Sequence, residues 1–129
     1  MKHSSKITPF LMFNGQAEEA MNFYISIFDQ SEINHVSYHE NGKVLHATFT
    51  IKGQPFMCID NPSGEHHPFT PAMSLFVTCD TEEEIDKLFE KLSQNGNVLM
   101  PLASYPFSPK FAWVEDRYGV SWQLNLEVK

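Results

Sequence analysis

The pattern of apolar and polar positions repeats itself 64 positions further along the chain. In residues 11–21 and again in residues 75–85, a short apolar run is followed by polar turn residues, paired glutamates and an apolar stripe with helical spacing. Each copy predicts a strand that leads into an amphipathic helix. Because a duplicated unit that cannot bury its own apolar face is expected to pack against its twin, the seam between the copies is the expected ligand site.

The first half of the chain reads as a strand, a helix and three further strands. Residues 7–13 form a nearly continuous apolar run, and a helical apolar spacing follows from Ala17 to about Asp29. A hairpin signal at Asn41-Gly42 and a turn at Lys52-Gly53 separate three apolar runs, which predict strands over residues 33–39, 44–51 and 54–59. This first module covers residues 1–60.

The second half repeats the order after a proline- and histidine-containing linker over residues 61–72. Its helix is expected to begin at a capping box formed either by Asp80 with Glu83 or by Thr81 with Glu84. An aromatic, proline-rich loop over residues 105–109 interrupts the strands that follow the helix. The strands of this second module, residues 73–129, are predicted over residues 73–79, 97–102, 111–115 and 120–126.

The order of elements predicts the topology. Parallel strands need a crossover connection, and the helix of each half supplies one, whereas strands joined by tight turns should be antiparallel neighbours. We therefore predict a single α+β domain built from two βαβββ modules, whose curved mixed sheets surround a central cavity.

Charge and length exclude several partners. The chain has 129 residues, a net charge of −7 and a single arginine, so it lacks the basic face that nucleic acids or anionic membranes require. Its apolar runs are far shorter than the roughly 20 residues that span a bilayer, and its N-terminus lacks the apolar stretch of a signal peptide. Cys58 and Cys79 are isolated within apolar segments, which predicts buried free thiols and a cytoplasmic protein.

Three segments carry a family resemblance: residues 7–24, which include Asn14-Gly15-Gln16-Ala17-Glu18-Glu19-Ala20, residues 49–56, and residues 113–124, with Trp113-Val114-Glu115-Asp116-Arg117-Tyr118-Gly119. On these segments the chain resembles the PhnB-like group of the vicinal oxygen chelate superfamily, which has the glyoxalase and bleomycin-resistance fold. The group carries the older label 3-demethylubiquinone-9 3-methyltransferase. Methyltransferase activity is not expected, because the six glycines are scattered and form no methyl-donor loop.

The resemblance implies four metal-ligand positions, which fall on Pro9, Met57, Met73 and Gln123. Proline offers no ligand, and a methionine thioether suits soft metals rather than magnesium, manganese or iron. If the alignment to the family is shifted by one or two residues, the ligand positions fall on Thr8, Asp60 and Ser74, a set that again contains no histidine. We therefore expect no bound metal and no other cofactor, and we leave the paired histidines His35/His39 and His66/His67 unassigned as ligands.

The remaining candidates line a binding pocket rather than a catalytic centre, and no catalytic residue is assigned. Aromatic and methionine side chains are abundant and suit an apolar or aromatic ligand. His46 is either a hydrogen-bonded histidine or an acid–base group in the pocket. Tyr105 and Phe107 are candidates for a lid. The pocket candidates are Pro9, Leu11, His46, Met57, Met73, Trp113 and Gln123.

Three classes of function remain open at this stage. The first is a metal-free protein that binds a small apolar or aromatic molecule in the cavity between the modules. The second is a metal-dependent vicinal oxygen chelate enzyme, an isomerase, lyase, dioxygenase or thiol transferase, so whether the protein is an enzyme stays undecided. The third is an interaction dimer without a ligand. The resemblance also implies a homodimer.

Overall fold

The computed structural model describes residues 6–128, and these divide into two compact units between His67 and Pro68, within the predicted linker. Each unit contains a four-stranded mixed sheet and one helix. The predicted α+β class and the two βαβββ modules are confirmed. Neither helix within residues 6–128 is long and apolar enough to cross a membrane.

The first unit has the strand order β1-β4-β3-β2, in which β1 and β4 are parallel and the other neighbours are antiparallel. The Lys52-Gly53 turn joins the paired residues Ile51 and Gln54 with positive φ at both positions, as a tight hairpin turn requires. The elements are β1 (Phe10–Phe13), α1 (Ala17–Ile27), β2 (Glu32–Tyr38), β3 (Val44–Ile51) and β4 (Gln54–Asp60).

The second unit has the corresponding order β5-β8-β7-β6, with β5 and β8 parallel. The prediction of a loop over residues 105–109 is wrong. Tyr105 pairs directly with Ser108, so these residues form a tight hairpin whose turn consists of Pro106 and Phe107 alone. Proline is tolerated at this turn since it needs no ladder N–H there. The elements are β5 (Leu75–Cys79), α2 (Glu82–Ser93), β6 (Asn97–Tyr105), β7 (Ser108–Glu115) and β8 (Ser121–Leu126).

The helix of each unit packs on one face of its sheet and forms the core there. In the first unit, the fully buried Ala20, Met21 and Tyr24 of α1 lie with Phe49 and Cys58 of the sheet. In the second unit, the buried residues are Ile85, Leu88 and Leu92 of α2 and Val77, Ala112, Val114, Trp122 and Leu124 of the sheet. Because successive strand residues point to opposite faces, the residues between these buried positions lie on the face opposite the helix.

The second helix begins at a side-chain cap, which decides between the two capping boxes that the sequence allowed. The Thr81 hydroxyl accepts a hydrogen bond of 3.1 Å from the Glu84 N–H, and the Glu84 carboxylate accepts one of 2.8 Å from the Asp80 N–H. The pair Thr81 and Glu84 is therefore the capping pair, although its carboxylate reaches one residue further back than in the standard capping box.

A buried carboxylate joins three segments of the first unit. Asp60, at the end of β4, is 4% exposed. Its Oδ1 accepts hydrogen bonds of 2.9 Å from the N–H groups of Gly15 and Ala17, and its Oδ2 accepts one of 2.9 Å from the Val44 N–H. Asp60 therefore fastens the start of α1 and the start of β3 to β4, with its charge stabilised by backbone donors.

We expect Asp60→Asn to lower the free energy of unfolding by about 2–4 kcal/mol, because the amide would point its own N–H₂ at a backbone N–H in a buried position. Urea denaturation measures the change. Asp29→Asn is the matched control, since the Asp29 carboxylate is 71% exposed in its ion pair with Lys52 and should contribute less than about 1 kcal/mol. Equal effects of the two substitutions would contradict the role given to Asp60.

The Cys58 thiol is buried in the core beneath α1. Desolvation by burial, reinforced by the nearby charge of Asp60, raises its pKa from the ordinary 9.0 to about 12. A thiol that keeps its proton at neutral pH is a poor nucleophile, so Cys58 is a core residue and not a reactive cysteine. Cys79 is fully buried as well.

This raised pKa predicts a pH dependence of stability. The thiol ionises near pH 9 in the unfolded chain but only near pH 12 in the folded protein, so its contribution is complete below pH 9 and is lost as the pH rises towards 12. We expect the free energy of unfolding to fall less steeply between pH 9 and pH 11 in Cys58→Ala than in the parent protein. Parallel curves from chemical denaturation at each pH would contradict this expectation.

Candidate functional site

In the second unit, the face of the sheet opposite α2 carries a groove of about 350 Å³. The residues that line it come from all four strands and from the β6–β7 turn, and none of them is charged. We call this site the aromatic groove. Its lining residues are Phe76, Met100, Phe107, Phe111, Trp113, Gln123 and Asn125.

Aromatic side chains form one wall of the aromatic groove. Phe107 and Phe111 pack edge to face, with ring centroids 5.0 Å apart and an interplanar angle of 81°. Tyr105 stacks on Phe107 at 5.6 Å, and its hydroxyl donates a hydrogen bond of 2.7 Å to the Pro101 carbonyl. The turn aromatics therefore rest on Phe111 and do not extend as a free loop.

Trp113 is held in place from behind by two serines. Its indole Nε1–H donates a hydrogen bond of 2.8 Å to the Ser121 hydroxyl, which lies 2.8 Å from the hydroxyl of Ser74. Ser121 is 2% exposed, whereas Ser74 and Trp113 are partly exposed. The hydrogen bond to the buried Ser121 hydroxyl restricts the orientation of the Trp113 ring at the groove.

The first unit has a different groove, of about 650 Å³, beside β2, β3 and β4. We call it the threonine groove because hydroxyl groups distinguish it from the aromatic groove. Within it, the Thr50 hydroxyl donates to Asn34 at 2.9 Å, and the Asn34 amide donates to Glu32 at 3.2 Å. Its lining residues are Thr8, Glu32, Asn34, Thr48, Phe49, Thr50, Gly53, Pro55, Phe56 and Met57.

The structure brings only some of the predicted pocket residues together. Trp113 and Gln123 share the aromatic groove with the predicted lid residue Phe107, while Tyr105 lies behind Phe107. Met57 lines the threonine groove, and its N–H donates to the carbonyl of Pro9. These residues therefore belong to two grooves, each described within its own unit.

Three other candidates lie away from both sets of lining residues. Leu11 pairs with Cys58 and is buried on the helix-covered face, so it belongs to the core. His46 packs against Phe10, with ring centroids 6.2 Å apart in an edge-on arrangement. Met73 is 70% exposed and precedes β5.

The donor groups do not fit the divalent metal that the resemblance implies. Within residues 6–128, no three side chains of His, Cys, Asp or Glu come together in a group that could hold a metal ion. Asp60, offered by a shift of register, gives its carboxylate to backbone N–H groups, and Ser74 bonds to Ser121. Of the four implied ligand positions, only Gln123 carries an oxygen donor. It is neutral, and the residues opposite it in the sheet, Phe76 and Trp113, offer no ligand.

Two other side chains with a raised pKa, Tyr38 and Lys110, connect a strand to the helix of its unit. The hydrogen bond of 2.8 Å that Tyr38 donates to the Glu18 carboxylate raises the pKa of its phenol. The ion pairs of Lys110 with Asp86 at 2.8 Å and Glu82 at 3.2 Å raise the pKa of its ammonium group. Lys110 thereby directs its charge towards α2.

Phe76, Met100, Phe111 and Asn125 line the groove but are not among the pocket residues predicted from the sequence. Asn125 could have been predicted from the sequence, because a residue two positions after Gln123 in a strand lies on the same face of the sheet. Phe76 becomes a neighbour of Gln123 only through the parallel β5–β8 register. Met100 lies opposite Trp113 after an irregularity in the β6–β7 register, which no periodic pattern reveals.

Comparisons with known proteins agree with this architecture. The sequence model of the family described as 3-demethylubiquinone-9 3-methyltransferase matches residues 5–125. The solved structure of a PhnB protein from Bacillus cereus is 62% identical and covers 95% of this chain and 100% of its own, with a TM-score of 0.92. Protein YjdN of Escherichia coli strain K12 is 25% identical over 142 residues, with 93% of this chain and 94% of that protein covered.

A more distant structure shares the fold alone. A glyoxylase/bleomycin resistance protein/dioxygenase domain from Frankia sp. EAN1pec is 14% identical, with a TM-score of 0.73, and covers 99% of this chain and 95% of its own. The chain therefore belongs to the PhnB-like family described as 3-demethylubiquinone-9 3-methyltransferase, and it has the fold of the glyoxylase/bleomycin resistance protein/dioxygenase domain.

Proposed function

We propose that the protein binds a small apolar or aromatic molecule in the aromatic groove of its second unit, without a resident metal. The observation that carries the proposal is the groove itself: Phe76, Phe107, Phe111 and Trp113 border a volume of about 350 Å³. This volume lies within the range of about 300–1,000 Å³ that is typical of small-molecule sites.

The exposure of the groove residues supports a binding role over a purely structural one. Phe76 is 60% exposed and Phe107 is 64% exposed, although both are large apolar side chains. A flat ligand seated on them would remove apolar surface from water at little cost in side-chain entropy, since Phe111 and Trp113 are already held by packing and by hydrogen bonds.

A metal-dependent enzyme of the vicinal oxygen chelate type is the alternative function. It rests on the shared fold and on the resemblance to that superfamily, and the poor donor set around Gln123 argues against it. A methyltransferase is disfavoured as well, because a methyl donor is usually held by clustered glycines, whereas the six glycines of this chain are scattered. A cavity shared by both modules, a homodimer and a cytoplasmic location stay predictions.

Binding to the groove can be tested with the neutral aromatic dye Nile red. We expect Phe107→Ala to weaken dye binding about three- to tenfold, because one aromatic contact is lost. The melting temperature should fall by no more than about 2–6 °C, because Phe107 is largely exposed at a turn and loses only its ring contacts with Tyr105 and Phe111. Fluorescence titration and thermal unfolding give the two readouts.

Leu45→Ala serves as the control, since it removes an exposed apolar side chain, 49% exposed, from the first unit. It should leave the affinity for the dye unchanged. The proposal would be overturned if Phe107→Ala bound the dye as tightly as the parent protein, or if both substitutions weakened binding equally.

The metal-free state has its own test. We expect elemental analysis of the untagged protein to find far less than one divalent metal ion per chain, because the groove offers only the neutral amides of Gln123 and Asn125 and aromatic neighbours where charged or imidazole ligands would be needed. About one zinc, nickel, manganese or iron per chain, removed by chelator and restored by dialysis, would favour the alternative enzyme function.

A further inference from the structure

Two side-chain amides form the polar floor of the aromatic groove. Gln123 and Asn125 lie two positions apart on β8, so they point to the same face with their Cα atoms about 7 Å apart. Both are partly exposed, and within residues 6–128 neither side chain has a hydrogen-bond partner in the protein. Each therefore offers a carbonyl acceptor and an N–H₂ donor to a ligand.

Aromatic rings border these amides on both sides. Gln123 has Phe76 opposite it on β5 and Trp113 opposite it on β7, and Asn125 has Phe111 opposite it. The rings of Phe76 and Phe111 approach to a centroid distance of 6.5 Å, although their strands flank β8 and lie about 9–10 Å apart. The rings thus lean towards each other over β8 and place aromatic surface beside the amides, on which a flat ligand can stack.

The electrostatics of the groove limit the charge of this ligand. None of the seven lining residues is charged, and Lys110, the cation of β7, is bound to Asp86 and Glu82 of α2. An anionic or cationic ligand would lose its hydration without gaining a countercharge. A hydrocarbon would in turn cover both amides and leave them without partners.

We propose that the aromatic groove selects neutral, planar aromatic molecules that carry a lactam or carboxamide edge. Such an edge presents one donor beside one acceptor, which is the complement of a side-chain amide. The inference rests on the proposed binding function and adds the ligand class to it. Gln123 is the principal selecting residue, because it lies between Phe76 and Trp113.

Three naphthalene derivatives of equal shape test the proposal by isothermal titration calorimetry. 2-Naphthamide has the donor and the acceptor, 2-acetylnaphthalene replaces the N–H₂ group with a methyl group, and 2-naphthoate carries a negative charge. We expect the parent protein to bind the amide about tenfold more tightly than the ketone, and the carboxylate more weakly than either.

The variant Gln123→Leu should bind the amide and the ketone within about twofold of each other, because the partner of the carboxamide is gone. Gln54→Leu makes the same chemical change at an exposed strand position of the first unit and should keep the tenfold preference. Circular dichroism establishes that each variant is folded before it is titrated.

The outcomes separate this inference from the proposed function. If the parent protein binds the ketone as tightly as the amide, the ligand class is wrong while aromatic binding stands. The ligand class is also wrong if both Gln123→Leu and Asn125→Leu still bind the amide more tightly than the ketone. If none of the three compounds binds, the aromatic groove is no binding site and both proposals fall.

Discussion

Each unit depends on one constraint: a single helix covers only one face of a four-stranded sheet. The alternation of side chains along the strands then divides every strand between a buried face and an opposite face. Phe49 and Cys58 lie beneath α1, and Trp122 and Leu124 lie beneath α2. Hydrophobic burial against the helices stabilises both units. The opposite faces take no part in that packing, so their side chains are free to differ between the twins.

Buried polar groups fix the chain where the apolar packing cannot. Asp60 accepts three backbone hydrogen bonds from two segments of the first unit. Asp116 has a comparable role at the β7–β8 turn, where it accepts hydrogen bonds from the N–H groups of Tyr118 and Val120 and from the indole of Trp122. An ionised carboxylate satisfies several backbone donors at once, so each aspartate sets the geometry of a turn that would otherwise leave N–H groups unpaired.

The twin sheets carry different chemistry on equivalent faces. In the parallel pair of each sheet, Phe10 lies opposite Met57 in the first unit and Phe76 lies opposite Gln123 in the second. Met57 shares its groove with threonines and with a glutamate that accepts a hydrogen bond from Asn34, whereas Phe76 and Gln123 share theirs with phenylalanine and tryptophan. The two units therefore share their strand order and helix placement, while the faces opposite their helices carry different side chains.

The sequence by itself determined the elements and their order, because periodicity and turn chemistry are local properties: the helical stripe and the Lys52-Gly53 turn are readable from neighbouring residues. The sequence indicated the fold family through the resemblance of three segments, but it left open whether Asp80 or Thr81 caps the second helix. It also placed Trp113 and Gln123 among the candidates. Only the tertiary structure decided that Phe76 and Met100 join them, that Leu11 lies in the core and that residues 105–109 form a tight hairpin. Those outcomes depend on strand register and on distant aromatic contacts, since residues far apart in sequence meet only after the sheet has formed.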